Sequence, residues 1–583
     1  MPADSLRKDP VALRLVLCWH MHQPEYREAG TGRYALPWTY LHAIKDYVDM
    51  AAHLEATPGA RAVVNFAPVL LEQIRDYAVQ VAAFLQQGKP ISDPVLALLG
   101  AQSAPAGATE RMQLAEACTR ANRKRLIEPN PDYRMLADML PWLRQQPDAA
   151  IYLGDQYFFD LVTWYHLMWM GETVRRSDPR IEPLMKQGRN FTPGQRRMLM
   201  EVIGELLGEV IARYRRLAHT GQVELSFTPY AHPIMPLLLD LTSAREAVPE
   251  TALPEAPFYP GGDERVRWHV ARGMAVFEEH FGLRPAGCWP SEGGVSDATL
   301  RLLAQEGIRW AASGEGVLVN SLRASSGPQP PAASRSWLYR PYRYDAESLA
   351  VFFRDDGLSD SIGFRYADWH GDDAVADFIH QLEQIAEQLA RTRRPGDPTP
   401  VVSVILDGEN AWEYYPNNAF YFLSALYPRL VDHPAIELTT FSEALDEGGP
   451  PLSALSRVVA GSWVYGNFET WIGSADKNRG WDMLIDAKVQ VDRVLAEGRL
   501  TPAEEAAVLD QLAVCEGSDW CWWFGDYNPS SAVGLFERLY RQHLTRLYLL
   551  MGAPPPGYLS HAVSRGSGEP VAGGVMRTGQ KTV

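Results

Sequence analysis

Two acidic residues directly follow apolar, β-rich runs of the sequence. Glu292 follows such a run in CWPSEGGVSD, and Asp407 ends another in VILDGEN. Cleavage of a glycosidic bond needs this kind of pair, because one carboxyl group serves as the acid and the other as nucleophile or base. Each acid also has an ordinary interpretation, Glu292 at a helix N-terminus and Asp407 as an N-cap or turn residue. Their common position at strand ends favours the chemical interpretation.

Two histidines and a second motif add polar side chains to this chemistry. His20 and His22 lie two residues apart in CWHMHQPEYRE, so an extended backbone points both to the same side. Together with Glu224 and His232 of GQVELSFTPYAHP they could bind a divalent metal or, alternatively, hydrogen-bond sugar hydroxyls. Because no Asp accompanies the histidines and no HExxH occurs, we expect no metal and no cofactor.

Tryptophans indicate the class of ligand. The chain has 17 of them, and sugar rings present apolar C–H faces that stack on indole. Ordinary core packing is the alternative for any single tryptophan. Those that stand near acidic residues are Trp289, Trp412, Trp471, Trp520, Trp522 and Trp523.

Composition narrows the possible partners. The formal net charge is -16, and 46% of the residues are hydrophobic. Nucleic acids and anionic membranes require concentrated positive charge, so we expect neither as a partner. We find no apolar stretch of about 18 residues, no signal-peptide core and no disulfide pattern among the five cysteines, which together predict a cytoplasmic protein. The oligomeric state is not indicated.

Seven short β-rich runs separated by helical periodicity predict an α/β fold with a parallel sheet or barrel. They begin at Leu13, Ala62, Val223, Pro285, Arg309, Leu349 and Val401. In such barrels the reactive groups collect at the C-terminal ends of the strands. The residues at those ends here are His20, His22, Asn65, Glu292, Ser313, Glu315, Arg354, Asp355, Asp407 and Glu409.

The remaining sequence predicts the domain organisation. Residues 1–445 form the catalytic domain, with a helical insertion at about 76–221. Residues 446–557 form an all-helical C-terminal domain, in which Thr501, Pro502 and Glu504 mark a helix start with a capping box. Residues 558–583 form a disordered tail.

Five ordered segments resemble glycoside hydrolase family 57, whose members act on starch, glycogen and related α-glucans. They are HQP at His22, GQVELSFTPYAHP, WPSE at Trp289, the DGEN segment at Asp407 and WIGSADKNRGW from Trp471. FRDDGLSDSIGF and EGSDWCWWFGD further resemble the α-amylase/α-mannosidase subgroup. The resemblance covers nearly the whole chain. It implies a seven-stranded (β/α) barrel followed by a helical domain.

The resemblance also implies a retaining mechanism. Glu292 would be the nucleophile and Asp407 the acid/base, with their carboxyl groups about 5–5.5 Å apart. The residues expected to contact substrate are His20, His22, Glu224, His232, Trp289, Arg354, Glu409, Trp412, Trp471, Asp519 and Trp520. One departure is GDYNP, where members of the subgroup commonly carry a second acid after GD.

The expected activity is therefore hydrolysis of α-1,4 links in α-glucans, with α-1,6 links as a further option. A 4-α-glucanotransferase or a branching enzyme would use the same residues. Two other classes stay open: a metal-dependent carbohydrate hydrolase such as an α-mannosidase or a deacetylase, and a non-catalytic glycan-binding protein.

Overall fold

The protein is described by a computed structural model that covers residues 12–326, 335–344, 349–393, 397, 399–446 and 452–568. Within these residues, ten strands belong to one sheet. They are β1 Leu13–Met21, β2 Ala62–Phe66, β3 Val223–Phe227, β4 Gly287–Cys288, β5 Trp310–Ser313, β6 Tyr342–Tyr344, β7 Ala350–Phe353, β8 Val401–Asp407, β9 Ile436–Leu438 and β10 Ser453–Leu455.

The sheet is mostly parallel, in the order β10-β6-β7-β5-β4-β3-β2-β1-β8, and β9 also pairs with β1. Only β6 and β7 run antiparallel within the described residues. The chain thus has a curled, mostly parallel sheet with helices between its strands, which fits an α/β barrel-like fold.

The strand register brings three polar residues into line. His20 on β1 pairs with Asn65 on β2 and, on its other side, with Asp407 on β8. All three lie at or near the C-terminal ends of parallel strands, where the predicted active face lies.

The two outer regions of the sheet approach each other at β7 and β8. Arg354, directly after β7, forms a parallel bridge with Ser403 of β8. The backbone N–H of Asp355 donates to the carbonyl of Ser403 at 2.8 Å. This contact joins the two regions of the curled sheet.

Helices connect most of the strands and also follow the last one. Those before β3 are α1 Trp38–His42, α2 Val48–Glu55, α3 Pro68–Gln87, α4 Pro94–Gly100, α5 Ala108–Ala117, α6 Pro131–Ala137, α7 Leu140–Gln145, α8 Asp155–Met168, α9 Glu172–Ser177, α10 Ile181–Gln187 and α11 Pro193–His219. Those after β3 are α12 Met235–Leu239, α13 Ala244–Ala247, α14 Gly262–Phe281, α15 Asp297–Gln305, α16 Glu315–Ser326, α17 Asp356–Asp360, α18 Gly371–Ala390, α19 Phe420–Val431, α20 Phe441–Asp446, α21 Ala475–Ala496, α22 Pro502–Cys515, α23 Asp519–Trp523 and α24 Ser530–Leu550. The structure describes every residue between β2 and β3, and none of them forms a strand of the sheet.

Local signals placed one helix start correctly. Thr501 accepts a hydrogen bond from the backbone N–H of Glu504, and the Glu504 side chain accepts one from the backbone of Thr501. This reciprocal capping box satisfies two N–H groups that a helix terminus otherwise leaves unpaired. The predicted box is therefore confirmed.

The sequence missed β6, β9 and β10, so the sheet has more strands than the seven runs predicted. Each has three residues, which is too short for a hydrophobic period to appear. β10 pairs with β6 and lies inside the segment 446–557 that was predicted to be wholly helical.

The predicted disordered tail is also partly wrong. Residues 557–560 form a 3₁₀ turn. Gly525 donates its N–H to Ser564 Oγ at 3.1 Å, and Pro529 bridges Gly568. Val563 of the tail donates its N–H to Glu537 Oε1 of α24 at 2.8 Å. Residues 569–583 lie outside the described part of the chain.

Among the described residues, no helix is long and apolar enough to cross a membrane.

Candidate active site

Glu292 lies in a tight turn directly after β4. Its φ is +58°, in the left-handed region that non-glycine residues seldom adopt, and Gly293 follows with φ +59°. A Cβ atom on Gly293 would approach the ring of Trp289 to 2.8 Å. Such strain is maintained only where the surroundings fix it, and it is concentrated at functional sites.

The surroundings that fix Glu292 come from residues 461–463. Gly461 and Val295 exchange two backbone hydrogen bonds, and Trp463 donates its N–H to the carbonyl of Glu292 at 3.0 Å. The indole Nε1–H of Trp463 donates to Oε2 of the same residue, also at 3.0 Å. Trp463 therefore holds both the backbone and the carboxylate of Glu292.

Asp407 is the last residue of β8 and accepts a hydrogen bond from Asn410 Nδ2 at 3.0 Å. Burial raises the pKa of Asp407 above its usual value, although the Asn410 amide and the charge of His22 oppose the rise. A raised pKa is what a carboxyl group needs in order to carry a proton as a general acid.

Glu409 is buried beside this acid. Its Oε1 accepts from Gln23 Nε2 at 3.0 Å and from the backbone N–H of His22 at 3.3 Å. Oε2 has no hydrogen-bond partner among the described residues. Burial, followed by the charge of Asp407, raises the pKa of Glu409 well above its usual value.

The histidines form a chain of hydrogen bonds that fixes their tautomers. The Asn65 carbonyl oxygen accepts from His20 Nδ1 at 2.7 Å, so His20 Nε2 carries no proton in the neutral ring. It accepts from His232 Nε2–H at 3.2 Å. His232 Nδ1 in turn accepts from Ser518 Oγ at 2.8 Å.

Both rings of this chain are neutral near pH 7. Burial, and then the nearby His22, lower the pKa of His20 to about 3. The same causes, with His20 added, lower the pKa of His232 well below its usual value. Because all four of their ring nitrogens are hydrogen-bonded within the protein, His20 and His232 keep fixed positions beside His22.

His22 differs from the other two histidines because one of its ring nitrogens has no hydrogen-bond partner among the described residues. Its Nε2 lies 3.0 Å from Asp519 Oδ1, and its Nδ1 is buried without a partner among the described residues. The His20 and His22 rings lie on one side with centroids 5.7 Å apart, as their spacing predicted. His22 Nδ1 and Glu409 Oε2 are thus two buried polar atoms without a hydrogen-bond partner among the described residues.

A divalent metal fits this cluster poorly. One ligand atom from each of His22, His232 and Asp519 can be chosen so that all lie within 4.8 Å of one another. However, the His22 and His232 rings are stacked at 3.8 Å with planes only 11° apart. A metal must lie near the plane of each imidazole that binds it, and two stacked, nearly parallel planes do not share such a point.

These groups open into one cleft with a volume of about 1750 Å³. His20, His22, Glu292, Asp407 and Glu409 all line it. Two regions outside the sheet complete its walls. The segment between β2 and β3 contributes Asp93, Leu98, Ala104, Leu114, Arg144 and Trp169, and the C-terminal helices contribute Asp519, Trp522, Trp523, Ser530 and Phe536.

Backbone pairing attaches the C-terminal segment to this cleft. Pro233 bridges Gly517, and Ser518 donates its N–H to the carbonyl of His232 at 2.9 Å. Asp519 then begins α23 directly beside His22. The structure thus brings Asp519 to the cleft, and its contact with substrate stays a prediction.

Glu224 is not at this site. Its Oε1 accepts from Trp310 Nε1 at 2.6 Å, and its Oε2 accepts from the backbone N–H of Ser442 at 2.9 Å. Glu224 is the second residue of β3, whereas the cleft lies beyond the other end of the strands. The prediction that it contacts substrate is wrong for this geometrical reason.

Four predicted substrate-stacking tryptophans are core residues. Trp289, Trp412, Trp471 and Trp520 are all buried, and none lines the cleft. Each packs against other aromatic rings. The neighbouring acid in the sequence did not indicate whether each ring faces the core or the cleft.

Arg354 lines the cleft, but its nitrogens point to protein groups. Nε donates to the carbonyl of Ile405 at 2.7 Å, Nη1 to Asp356 at 2.6 Å and Nη2 to Asp360 at 2.6 Å. The predicted direct contact of Arg354 with substrate is not seen in this arrangement.

Sequence reasoning missed Trp463, Ser518, Asn410 and Gln23. Ser518 lies within EGSDWCWWFGD, Gln23 within HQP and Asn410 within DGEN, so for these three the signal was present at the level of the segment. Trp463 lies before WIGSADKNRGW and gave no signal of its own.

Comparison with known proteins places the chain in a family. The profile of the family described as Glycosyl hydrolase family 57 matches residues 16–453. A 1,4-alpha-glucan branching enzyme from Thermococcus kodakarensis is 22% identical over 282 residues, which are 46% of this chain and only 37% of that enzyme.

Solved structures share the fold. A family 57 branching enzyme from Thermococcus kodakaraensis has a TM-score of 0.59 at 15% identity, covering 92% of this chain and 90% of its own. The alpha-amylase AmyC of Thermotoga maritima has a TM-score of 0.56 at 14% identity, covering 93% of both chains. On the profile match, which spans most of its length, this chain belongs to glycosyl hydrolase family 57.

Proposed function

We propose that this glycoside hydrolase or transglycosylase cleaves α-1,4 links of α-glucans by a retaining mechanism. One observation carries the proposal: two carboxyl groups in different environments, Glu292 and Asp407, line a single cleft. The branching enzyme and amylase among its relatives support α-glucan as the substrate class.

The two environments suit two roles. Oε2 of Glu292 accepts an indole N–H, which stabilises an ionised carboxylate. Burial gives Asp407 a raised pKa, which favours its protonated form. We therefore assign the nucleophile to Glu292 and the acid/base to Asp407.

In the first step, Asp407 donates its proton to the glycosidic oxygen as that bond breaks. The Glu292 carboxylate attacks the anomeric carbon of the α-linked sugar and forms a β-linked glycosyl ester. In the second step, the Asp407 carboxylate removes a proton from water or from a sugar hydroxyl, which attacks the same carbon and releases Glu292. Two inversions give net retention.

Substrate hydroxyls find partners on two side chains. Oε2 of Glu409 and Nδ1 of His22 belong to cleft-lining residues and have no hydrogen-bond partner among the described residues, and sugar hydroxyls can donate to such acceptors. Trp463, Trp522 and Trp523 line the cleft and offer ring surface for the C–H faces of sugars.

The seven runs found in the sequence are proposed to close into a barrel, with residues 446–557 as a separate, mainly helical domain. The bridge between Arg354 and Ser403 supports closure. The helical insertion at about 76–221 would then form one wall of the cleft and the C-terminal helices the other.

Single substitutions test the roles. Glu292→Ala should lose turnover, and added azide should give a β-glycosyl azide, because azide attacks from the vacated face. Asp407→Ala should retain activity on a substrate with a good leaving group, and azide should accelerate it with formation of the α-azide. NMR can monitor which anomer is released first from an α-linked substrate. Release of the β-anomer first would contradict the retaining assignment.

Transfer to a second sugar is the alternative outcome, and the cleft is large enough to allow it. Binding sites for a drug-sized molecule are roughly 300–1,000 Å³, whereas this cleft measures about 1750 Å³. Such a cleft has room for an acceptor chain beside the donor.

Incubation with maltoheptaose separates the outcomes. Products shorter than the substrate alone indicate hydrolysis, and products longer than it indicate transfer. With amylose as substrate, branch points that a debranching enzyme removes would identify branching activity. Glu292→Gln serves as the inactive control in both assays.

A further inference from the structure

Arg354 lies between the two regions that carry the catalytic carboxyl groups. It directly follows β7, it is buried, and each of its three side-chain nitrogens donates to a protein group. Asp356 and Asp360 neutralise its charge from one side. These contacts fix the guanidinium plane with little freedom, since a two-carboxylate clamp defines both position and orientation.

The first connection of Arg354 is to Glu292, through Trp463. The guanidinium carbon lies 5.6 Å from the centre of the Trp463 ring, which is within cation–π range. The same indole donates to the Glu292 carboxylate. The position of Arg354 therefore influences the position of the hydrogen-bond donor on the nucleophile.

A second route to the same turn runs through the backbone. Arg354 donates its N–H to the carbonyl of Ser313 at 2.9 Å. Ser313 Oγ then donates to the carbonyl of Gly293 at 2.6 Å. Gly293 is the residue after Glu292, so this route supports the strained turn itself.

The other connection is to Asp407. Arg354 Nε donates to the carbonyl of Ile405, two residues before Asp407 on β8. The Ile405 N–H donates to Ser359 Oγ at 3.2 Å. Arg354 and α17 thus hold the end of β8 from which Asp407 projects.

We propose that Arg354 is a positioning residue that sets the relative placement of Glu292 and Asp407, acting through Trp463 on one side and strand β8 on the other. This inference rests on the proposed function of the two carboxyl groups. It assigns Arg354 no contact with the substrate.

The test is Arg354→Lys, which keeps the positive charge but removes the fork that reaches Ile405, Asp356 and Asp360 together. Steady-state kinetics on maltoheptaose should show kcat lowered by ~10²-fold, the cost of a roughly 1 Å misplacement of reacting groups. KM should change little, because no substrate contact is lost.

A double-mutant cycle with Trp463→Phe tests the route. Because both residues act on Glu292 along one line of contacts, the double variant should lose far less than the product of the two single losses. Asp360→Asn removes one carboxylate of the clamp and should shift kcat in the same direction by a smaller factor. If Arg354→Lys does not fold, the kinetics of Asp360→Asn test the proposal instead.

Arg365→Lys is the matched control. Arg365 also pairs with a carboxylate, Asp377, and lies over the ring of Trp369, but its side chain is about half exposed and does not line the cleft. This variant should retain wild-type kcat and KM.

Three results would overturn the inference: a raised KM at unchanged kcat, single losses that multiply in the double variant, or wild-type kinetics for Arg354→Lys. Failure of the wild-type protein to process α-glucans would be a different result, because it would remove the proposed function before any variant is compared.

Discussion

The indole Nε1–H of Trp463 donates to Oε2 of Glu292 at 3.0 Å, across 171 positions of sequence. Oε1 of the same carboxylate lies 3.9 Å from His232 Nδ1. One oxygen is therefore held by a fixed donor, while the other faces the neutral histidine chain. The two oxygens of this carboxylate therefore lie in different surroundings.

Replacing Trp463 by Phe should lower kcat/KM while the fold is maintained. The variant loses a hydrogen bond to a charged group, a contribution of about 1.5–3 kcal/mol, which corresponds to roughly 10- to 100-fold in rate. Steady-state kinetics will measure the loss of kcat/KM, and thermal unfolding will show whether the fold is maintained. Trp142→Phe, at a half-exposed position of α7, is the control. Equal kinetics for both variants would contradict the assigned role.

The pH profile should report Asp407. The first chemical step needs this carboxyl group protonated, so kcat/KM falls as pH rises through its pKa. Burial raises that pKa from the ordinary value of 3.8, which moves the alkaline limb of the profile upward. Asp407→Asn, assayed with an activated substrate, should lose this limb. A limb that persists in the variant would assign it to another group.

The substitution Glu409→Gln should make the protein more stable and less active. Its pKa is raised in the folded state by burial and by Asp407, so the folded protein holds the proton more tightly than the unfolded chain. Stability therefore falls as pH rises from about the ordinary value of 4.5 to the raised pKa. Glu409→Gln removes this loss.

Thermal unfolding as a function of pH measures the effect. The difference in Tm between Glu409→Gln and wild type should be near zero at acid pH and should grow toward neutral pH. Glu182→Gln, at an exposed position on α10, should show no such trend. A difference independent of pH would indicate that titration of Glu409 does not contribute.

The sequence predicted that Glu292 and Asp407 face one cleft, as they do in the structure, because strand ends are a local signal. Apolar runs that end in Asp407 or lead to Glu292 need only a few residues to be recognised, and the parallel sheet then brings their ends together. The histidine motif succeeded for the same reason, since a spacing of two fixes the relative direction of His20 and His22.

The sequence did less well where contacts are long-range. Trp289 stands three residues from Glu292, yet it packs inside the sheet, whereas Trp463 contacts the carboxylate. Which of two tryptophans reaches a side chain depends on how distant segments pair, here Val295 with Gly461. No periodicity carries that information.

Glu224 should contribute to stability and not to catalysis. Glu224→Ala leaves the buried Trp310 Nε1–H and the Ser442 groups without their acceptor, at about 1–3 kcal/mol for each buried group left unpaired. Chemical denaturation should show this loss, while kcat/KM at a temperature well below unfolding stays at the wild-type value. A large loss of kcat/KM in a folded variant would contradict the position seen for Glu224.

Asp519→Asn should lower activity in a way that metal ions do not restore. Asp519 accepts from His22 Nε2, which keeps the proton on that nitrogen and leaves Nδ1 as an acceptor. Asn can offer its NH₂ group instead, which would turn His22 to the other tautomer and convert an acceptor into a donor. The expected result is a higher KM with a smaller change in kcat.

A chelator distinguishes this account from metal binding by His22, His232 and Asp519. Wild-type protein dialysed against EDTA should keep its full rate, because the stacked rings of His22 and His232 do not converge on one ion. Added Zn²⁺ should leave Asp519→Asn unchanged. Loss of wild-type activity with EDTA and its return with Zn²⁺ would instead mean that the rings rotate to bind the ion. In that case the three side chains would serve as ligands, and the orienting role of Asp519 would have to be abandoned.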